Sequence, residues 1–354
     1  MDPRTRPEDD LFDVIAAYVV DAVDDDERLA IEATLLGDPV ADAAAVVLRD
    51  VTVAYGEAGI GSVEAPAGLR DRVLRAAFDR RPAVPVSPAD ARDAHAVEGE
   101  RAELLFARLT DAHLVATLDA PEFAGWTVRE LVVHLSANET LLAQALGVPI
   151  DVPETTHDND RRTAEALERH RDAALDGAIA EHRAARLAVD AAVRARTDEQ
   201  LDEPIGWWDD VPIGIRTVLV LRAFETWTHA DDIRRAIGTT AAPPPASILL
   251  RMSTLGTELA PITIAAAGLD VTERTLALDL TGEGGGRFLI DLTGAGRDLA
   301  GVEPDATIVM DVIAFCHALG KRAYLYDDAL PFTATGDLTL ASAYVDTLDS
   351  LAVL

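Results

Sequence analysis

Two stretches decide the fold: GWTVRELVVHLSANETLLAQAL, residues 125–146, and VLVLRAFETWTHADDIRRAIG, residues 218–238. In the first, Thr127 and Glu130 have the T-x-x-E spacing of a capping box. An apolar run follows, so the spacing predicts a helix to about Leu146, where Gly147 and Pro149 stop it. The second stretch continues a helix that starts near Ile213 and ends at Gly238. Its apolar stripe passes through Val218 and Leu221, and stepping on by fours lands on Glu225 and then His229. A carboxylate and an imidazole on a core-facing stripe are costly unless paired or bound to a metal. At i and i+4 they share one helix face, close enough to hold one cation. His134 likewise interrupts the apolar run Leu131, Val132, Val133 and Leu135. Two histidines and a carboxylate from two helices form a ligand set with open positions, which suits zinc with exchangeable water. Fe(II) and Ni(II) suit it equally on ligand type, and a satisfied core histidine beside a surface Glu-His pair is the plainer alternative.

Around these stretches, Glu100–Leu118 and a long polar segment, about Asp160–Arg196, also read as helices, which makes an antiparallel four-helix bundle over residues 99–242. Pro204–Pro212 reads as a loop carrying Trp207 and Trp208. After AAPPPAS (241–247) and one further helix the pattern turns to strands. TLALDL and RFLIDL flank TGEGGG as a hairpin, and ATIVM and PFTATG each lead from strand into helix. Residues 243–354 are therefore expected to form an α+β domain. Upstream, short amphipathic helices fill residues 1–81, and a Pro- and Ala-rich linker is expected at 82–98. The expected chain is multidomain: a small all-α N-terminal domain, a bundle, and an α+β C-terminal domain.

Composition narrows the function. The 354 residues carry 62 acids against 31 bases, a net charge of -31. Such a surface repels phosphate, so nucleic acid and anionic lipid are poor partners. A single cysteine, Cys316, excludes intrachain disulfides and CxxC sites, and its apolar surroundings read as a buried, inert thiol. Neither a signal peptide nor a membrane span is recognisable, so a cytoplasmic location is expected. GEGGG lacks the Lys-Ser/Thr of a phosphate loop and reads as a turn. His157, His170 and His182 lie in polar stretches and read as solvated.

GWTVRELVVHL followed about 90 residues later by FETWTHADDIRRAIG resembles the mycothiol-dependent maleylpyruvate isomerase family, which is built on a DinB-like four-helix bundle. The resemblance implies that His134, Glu225 and His229 bind a divalent metal, typically zinc, and that mycothiol is the cosubstrate. It further implies a thiolate that adds to an activated double bond, permits rotation and is eliminated, or, in DinB-like relatives, one transferred to an electrophile. Asp232 matches a family acid that orients a ligand, or pairs with Arg235. The C-terminal part resembles a sterol-carrier-like domain, and a catalytic arginine from that region corresponds to Arg322 in ALGKRAY, with an ordinary surface arginine as the plainer alternative. Trp207 and Trp208 are expected at the mouth of the thiol pocket, or as a cap on the bundle end. Where the family often has Cys-Pro-Gly-Trp, this chain has Glu122-Phe-Ala-Gly-Trp126, a change in the thiol pocket.

The stretch AAYVVDAVDDDERLAIEATLLGDPVADAAAVVLRD (16–50) resembles the anti-sigma domain of zinc-associated anti-sigma factors. The positions of its usual H-x3-C-x2-C ligands are Thr34, Asp38 and Ala41, so that zinc site is excluded. Two functions follow as expectations. One is a metal-dependent, mycothiol-using isomerase or transferase acting on a small electrophile. The other is a cytoplasmic regulator that holds a sigma factor through residues 1–81 and senses a thiol or small ligand through the bundle.

Overall fold

The computed structural model describes residue 31 and residues 86–153, 156–208, 211–240, 243–266, 268, 271–326 and 330–349. The chain divides into two units, Met1–Leu69 and Arg70–Leu354, and the second contains everything that follows. The anti-sigma-like domain expected at 1–81, with its sigma-factor partner, lies outside the described residues apart from Ile31.

Four helices make the bundle: α1 (Ala91–Phe106), α2 (Val128–Ala145), α4 (Asp176–Arg194) and α5 (Ile215–Ala236), with α3 (Asn159–Arg169) laid against α2. Helix α5 packs on α1 and α2, and α4 closes the ring against the same two. Helix α1 starts eight residues inside the expected linker, because Asp90 caps it by accepting from the Arg92 amide at 2.8 Å. The capping box of α2 is formed as its spacing predicts: Glu130 Oε2 accepts from the Thr127 amide at 2.7 Å. The segment expected as one helix to Arg196 is instead two, α3 and α4. The break is held from outside, where Arg129 on α2 donates to the His170 and Ala173 carbonyls. Arg162, fully buried on α3, donates to the Ala137 carbonyl and Thr140 of α2 and locks the two together. His170 and His182 are buried rather than solvated. The stretch 204–212, expected as a loop, begins an antiparallel hairpin of β1 (Pro204–Trp208) and β2 (Val211–Gly214), paired from Pro204↔Gly214 to Trp208↔Val211.

The C-terminal part is α+β. Its sheet runs β4 (Gly286–Asp291), β3 (Thr275–Thr281), β5 (Ala306–Asp311), β6 (Phe332–Gly336), with β3 and β5 parallel and the other neighbours antiparallel. Helices α6 (Ala246–Ala266), α7 (Val312–Leu319) and α8 (Leu338–Asp346) pack against it. Both strand-to-helix transitions are capped by aspartates, Asp311 and Asp337. Strand β5 alternates, burying Ala306, Ile308 and Met310. Cys316 is fully buried in α7, and burial pushes its thiol pKa far up, which leaves it inert.

One apolar core runs from Leu219, Ala223 and Trp227 of α5 through Met252 of α6 to Phe315 of α7. Helix α5 thus serves both layers, and this brings the loop after α7 over the bundle. Gly320 makes the approach possible: a Cβ there would meet Thr228 Cγ2 at 3.0 Å and Phe224 Cε1 at 3.2 Å. Among the described residues, no helix is long and apolar enough to cross a membrane.

Candidate metal and thiol site

Helices α2 and α5 bring His134, Glu225 and His229 together. Glu225 Oε1 lies 3.3 Å from His134 Nε2 and 3.7 Å from His229 Nε2. Two ligands about 2.1 Å from a tetrahedral ion sit about 3.4 Å apart, so both separations suit one shared ion. The outer ring nitrogens are also engaged. His134 Nδ1 lies 3.0 Å from Thr163 Oγ1 on α3, and His229 Nδ1 lies 3.4 Å from Asp232 Oδ2. Such partners fix ring orientation and leave Nε2 facing inward. Burial would raise the Glu225 pKa, but Arg222, His134 and His229 outweigh it and hold the group ionised, well below the usual carboxylate range. Burial, helped by Arg322, lowers the His229 pKa against the pull of Asp232, which favours the neutral ring a metal needs.

Asn138, one turn beyond His134, completes the cluster. Its Nδ2 lies 3.2 Å from His134 Nε2 and donates to Glu225, while its buried Oδ1 has no hydrogen-bond partner among the described residues. Amide orientation is interchangeable by a flip, so the site has a further oxygen donor at hand. The donor set, the spacing and this orphaned oxygen fit a divalent cation.

Arg322 reaches the site from the C-terminal part. It is 2% exposed, and it donates to Asp232, to the Gly320 carbonyl and to Glu122, with Nη2 3.0 Å from His229 Nδ1. Burial works against its charge, yet Asp232 and Glu122 outweigh this and raise its pKa. Asp232 also pairs with Arg235, so orientation of His229 and pairing with arginine occur together. Trp207 lines the same cavity, while Trp208 pairs with Val211 at the hairpin end. The cavity, about 310 Å³, opens from His134, Glu225 and His229 towards α6 and α7.

Sequence reading missed three residues here, Asn138, Arg222 and Thr163, and met Glu122 only as the start of a departure in the thiol pocket. Asn138 and Arg222 were within reach, one turn from His134 and from Glu225. Thr163 and the pairing of Glu122 with Arg322 carry no local signal, since each acts across elements.

The mycothiol maleylpyruvate isomerase N-terminal domain family matches residues 95–234. No curated protein matches the chain. Two solved structures are similar, a mycothiol-dependent maleylpyruvate isomerase and a mutant form of it. The first has 16% identity and the second 14%, each at TM-score 0.45 and covering 69% of this chain and 91% of the other. Residues 95–234, the stretch that matches the mycothiol maleylpyruvate isomerase N-terminal domain family, contain all three clustered side chains, His134, Glu225 and His229.

Proposed function

We propose that the protein is a metal-dependent enzyme that uses mycothiol, as an isomerase or a transferase, with His134, Glu225 and His229 as the metal ligands. The carrying observation is the convergence of two inward imidazole nitrogens on one ionised carboxylate oxygen at the end of a cavity. A divalent cation there, zinc being the best fit to the donors, would supply Lewis acidity that lowers the pKa of the thiol sulfur. The chain's own residues do the rest. Thr163 and Asp232 aim the imidazoles, and Arg222 and Asn138 fix the Glu225 carboxylate. Arg322 neutralises buried Asp232 and closes the cavity next to His229. Trp207 lies on the cavity wall, where a thiol cosubstrate would pass.

The test is metal content by mass spectrometry, beside thiol consumption with an electrophile. About one equivalent of metal and mycothiol-dependent turnover are expected in the parent, with both lost in a His134→Ala/His229→Ala double variant. A parent that takes up no zinc, nickel or iron would refute the reading.

A further inference from the structure

The far side of the cavity has a composition of its own. Leu221 and Phe224 of α5, Met252, Leu255 and Leu259 of α6, and Leu319 of α7 form a continuous apolar wall. Positions 252, 255 and 259 follow helical spacing, so one stripe of α6 faces the cavity. Among the lining residues the acids are Glu122, Asp160 and Glu225, and Arg322 is the single lysine or arginine. That guanidinium is already committed to two carboxylates, Asp232 and Glu122. The Glu122 side chain is 25% exposed and lies on a short 3-10 turn, Pro121–Phe123, so it reaches in from the rim. Away from the metal position, an entering carboxylate would find no uncommitted arginine or lysine among the described lining residues, and would lose its hydration beside Glu122 and Asp160.

We infer that the second substrate of this site is an uncharged, apolar electrophile held against the α6–α7 wall, and that Glu122 excludes carboxylate-bearing substrates by occupying Arg322. The inference rests on the thiol-using reading for the word electrophile; the preference for uncharged ligands stands on the wall and the ion pairs. With a benzylic halide the reaction balances simply. The thiolate sulfur forms a bond to the benzylic carbon, chloride leaves with the electron pair of the broken C–Cl bond, and the thiol proton passes to solvent.

A matched pair of probes tests it. Unreactive 4-nitrotoluene and 4-methylbenzoate are titrated into metal-free protein, with competition against the quenching of tryptophan fluorescence as the readout. Wild type should bind 4-nitrotoluene at least tenfold more tightly. Glu122→Gln should raise 4-methylbenzoate affinity several-fold, and Leu259→Arg should reverse the preference. Zinc-loaded protein with mycothiol should then consume 4-nitrobenzyl chloride faster than 4-(chloromethyl)benzoate. Equal or tighter binding of 4-methylbenzoate by wild type, or no binding of either probe at millimolar concentration, would overturn the inference. The two readings fail separately. Selective binding by a protein that takes up no metal refutes only the enzyme reading, and a metal-loaded, mycothiol-using protein that prefers the carboxylate refutes only this one.

Discussion

At the scale of single residues the site depends on which nitrogen of each histidine holds the proton. For Nε2 to ligate, Nδ1 must keep its hydrogen and donate it, His134 to Thr163 and His229 to Asp232. The Arg322 contact with His229 Nδ1 suits the opposite tautomer, since a guanidinium only donates. Metal binding therefore has to transfer that hydrogen bond fully to Asp232. Thr163→Val removes the partner of His134 without adding a charge. It should weaken zinc binding about tenfold, with a much smaller change in Tm, when affinity is read by chelator competition. Asp232→Asn should weaken zinc binding by about 10- to 100-fold and also lower Tm, because Arg322 and Arg235 lose a buried counter-charge. Unchanged affinity in both variants would mean that the rings are oriented by packing alone. His134, Glu225 and His229 were legible as a set because helical spacing carries them onto faces that ought to be apolar. Arg322 was reachable only by family resemblance, and its pairing with Glu122 joins loops 200 positions apart, beyond any periodicity.

At the scale of elements, features with short-range causes were readable and those set by another element were not. The α2 capping box, the β3–β4 hairpin and the two aspartate-capped strand-to-helix turns each arise within a few residues. The break between α3 and α4 does not, because its carbonyls are satisfied by Arg129 from a different helix. The β1–β2 hairpin was hidden for a related reason: with glycine and proline among its residues, PIGWW and VPIG read locally as a turn. Replacing Thr127 by Ala should cost about 1 kcal/mol in chemical denaturation, the usual worth of such a cap. A more telling position is Lys321, whose φ of 59° is left-handed backbone that a side chain disfavours. It directly precedes Arg322 and turns the chain back towards α5. Lys321→Gly should relieve strain and raise stability by about 0.5–1 kcal/mol after allowing for the freer unfolded chain. Lys321→Val should do the reverse, and a stabilising valine would show that the turn is not strained.

At the scale of the whole molecule, the site is tied to the bundle through buried charge. Glu225 is held by Arg222, Arg222 Nη2 lies 3.3 Å from Glu139, and Glu139 lies 2.9 Å from His95. The other nitrogen of His95 lies 3.0 Å from Asp190, which accepts from Arg186 at 2.8 Å. These side chains come from α1, α2, α4 and α5, so one polar chain crosses the bundle between its apolar clusters. With a carboxylate on each side, His95 donates twice only as the imidazolium. Burial opposes that charge, but Glu139 and Asp190 outweigh it and raise the His95 pKa from 6.5 to about 9. The sign follows from linkage. Between these values the folded protein holds a proton that the unfolded chain has released, so the contribution is complete below pH 6.5 and is lost as pH rises through 9. A loss on the order of 2 kcal/mol between pH 7 and 10 corresponds to that shift. His95→Gln offers one donor and one acceptor in place of two donors. It should be less stable at pH 7 and should show a flatter decline to pH 10, measured by urea unfolding of the full chain. Equal slopes in parent and variant would place the His95 proton elsewhere and remove the bundle's charged link to Glu225.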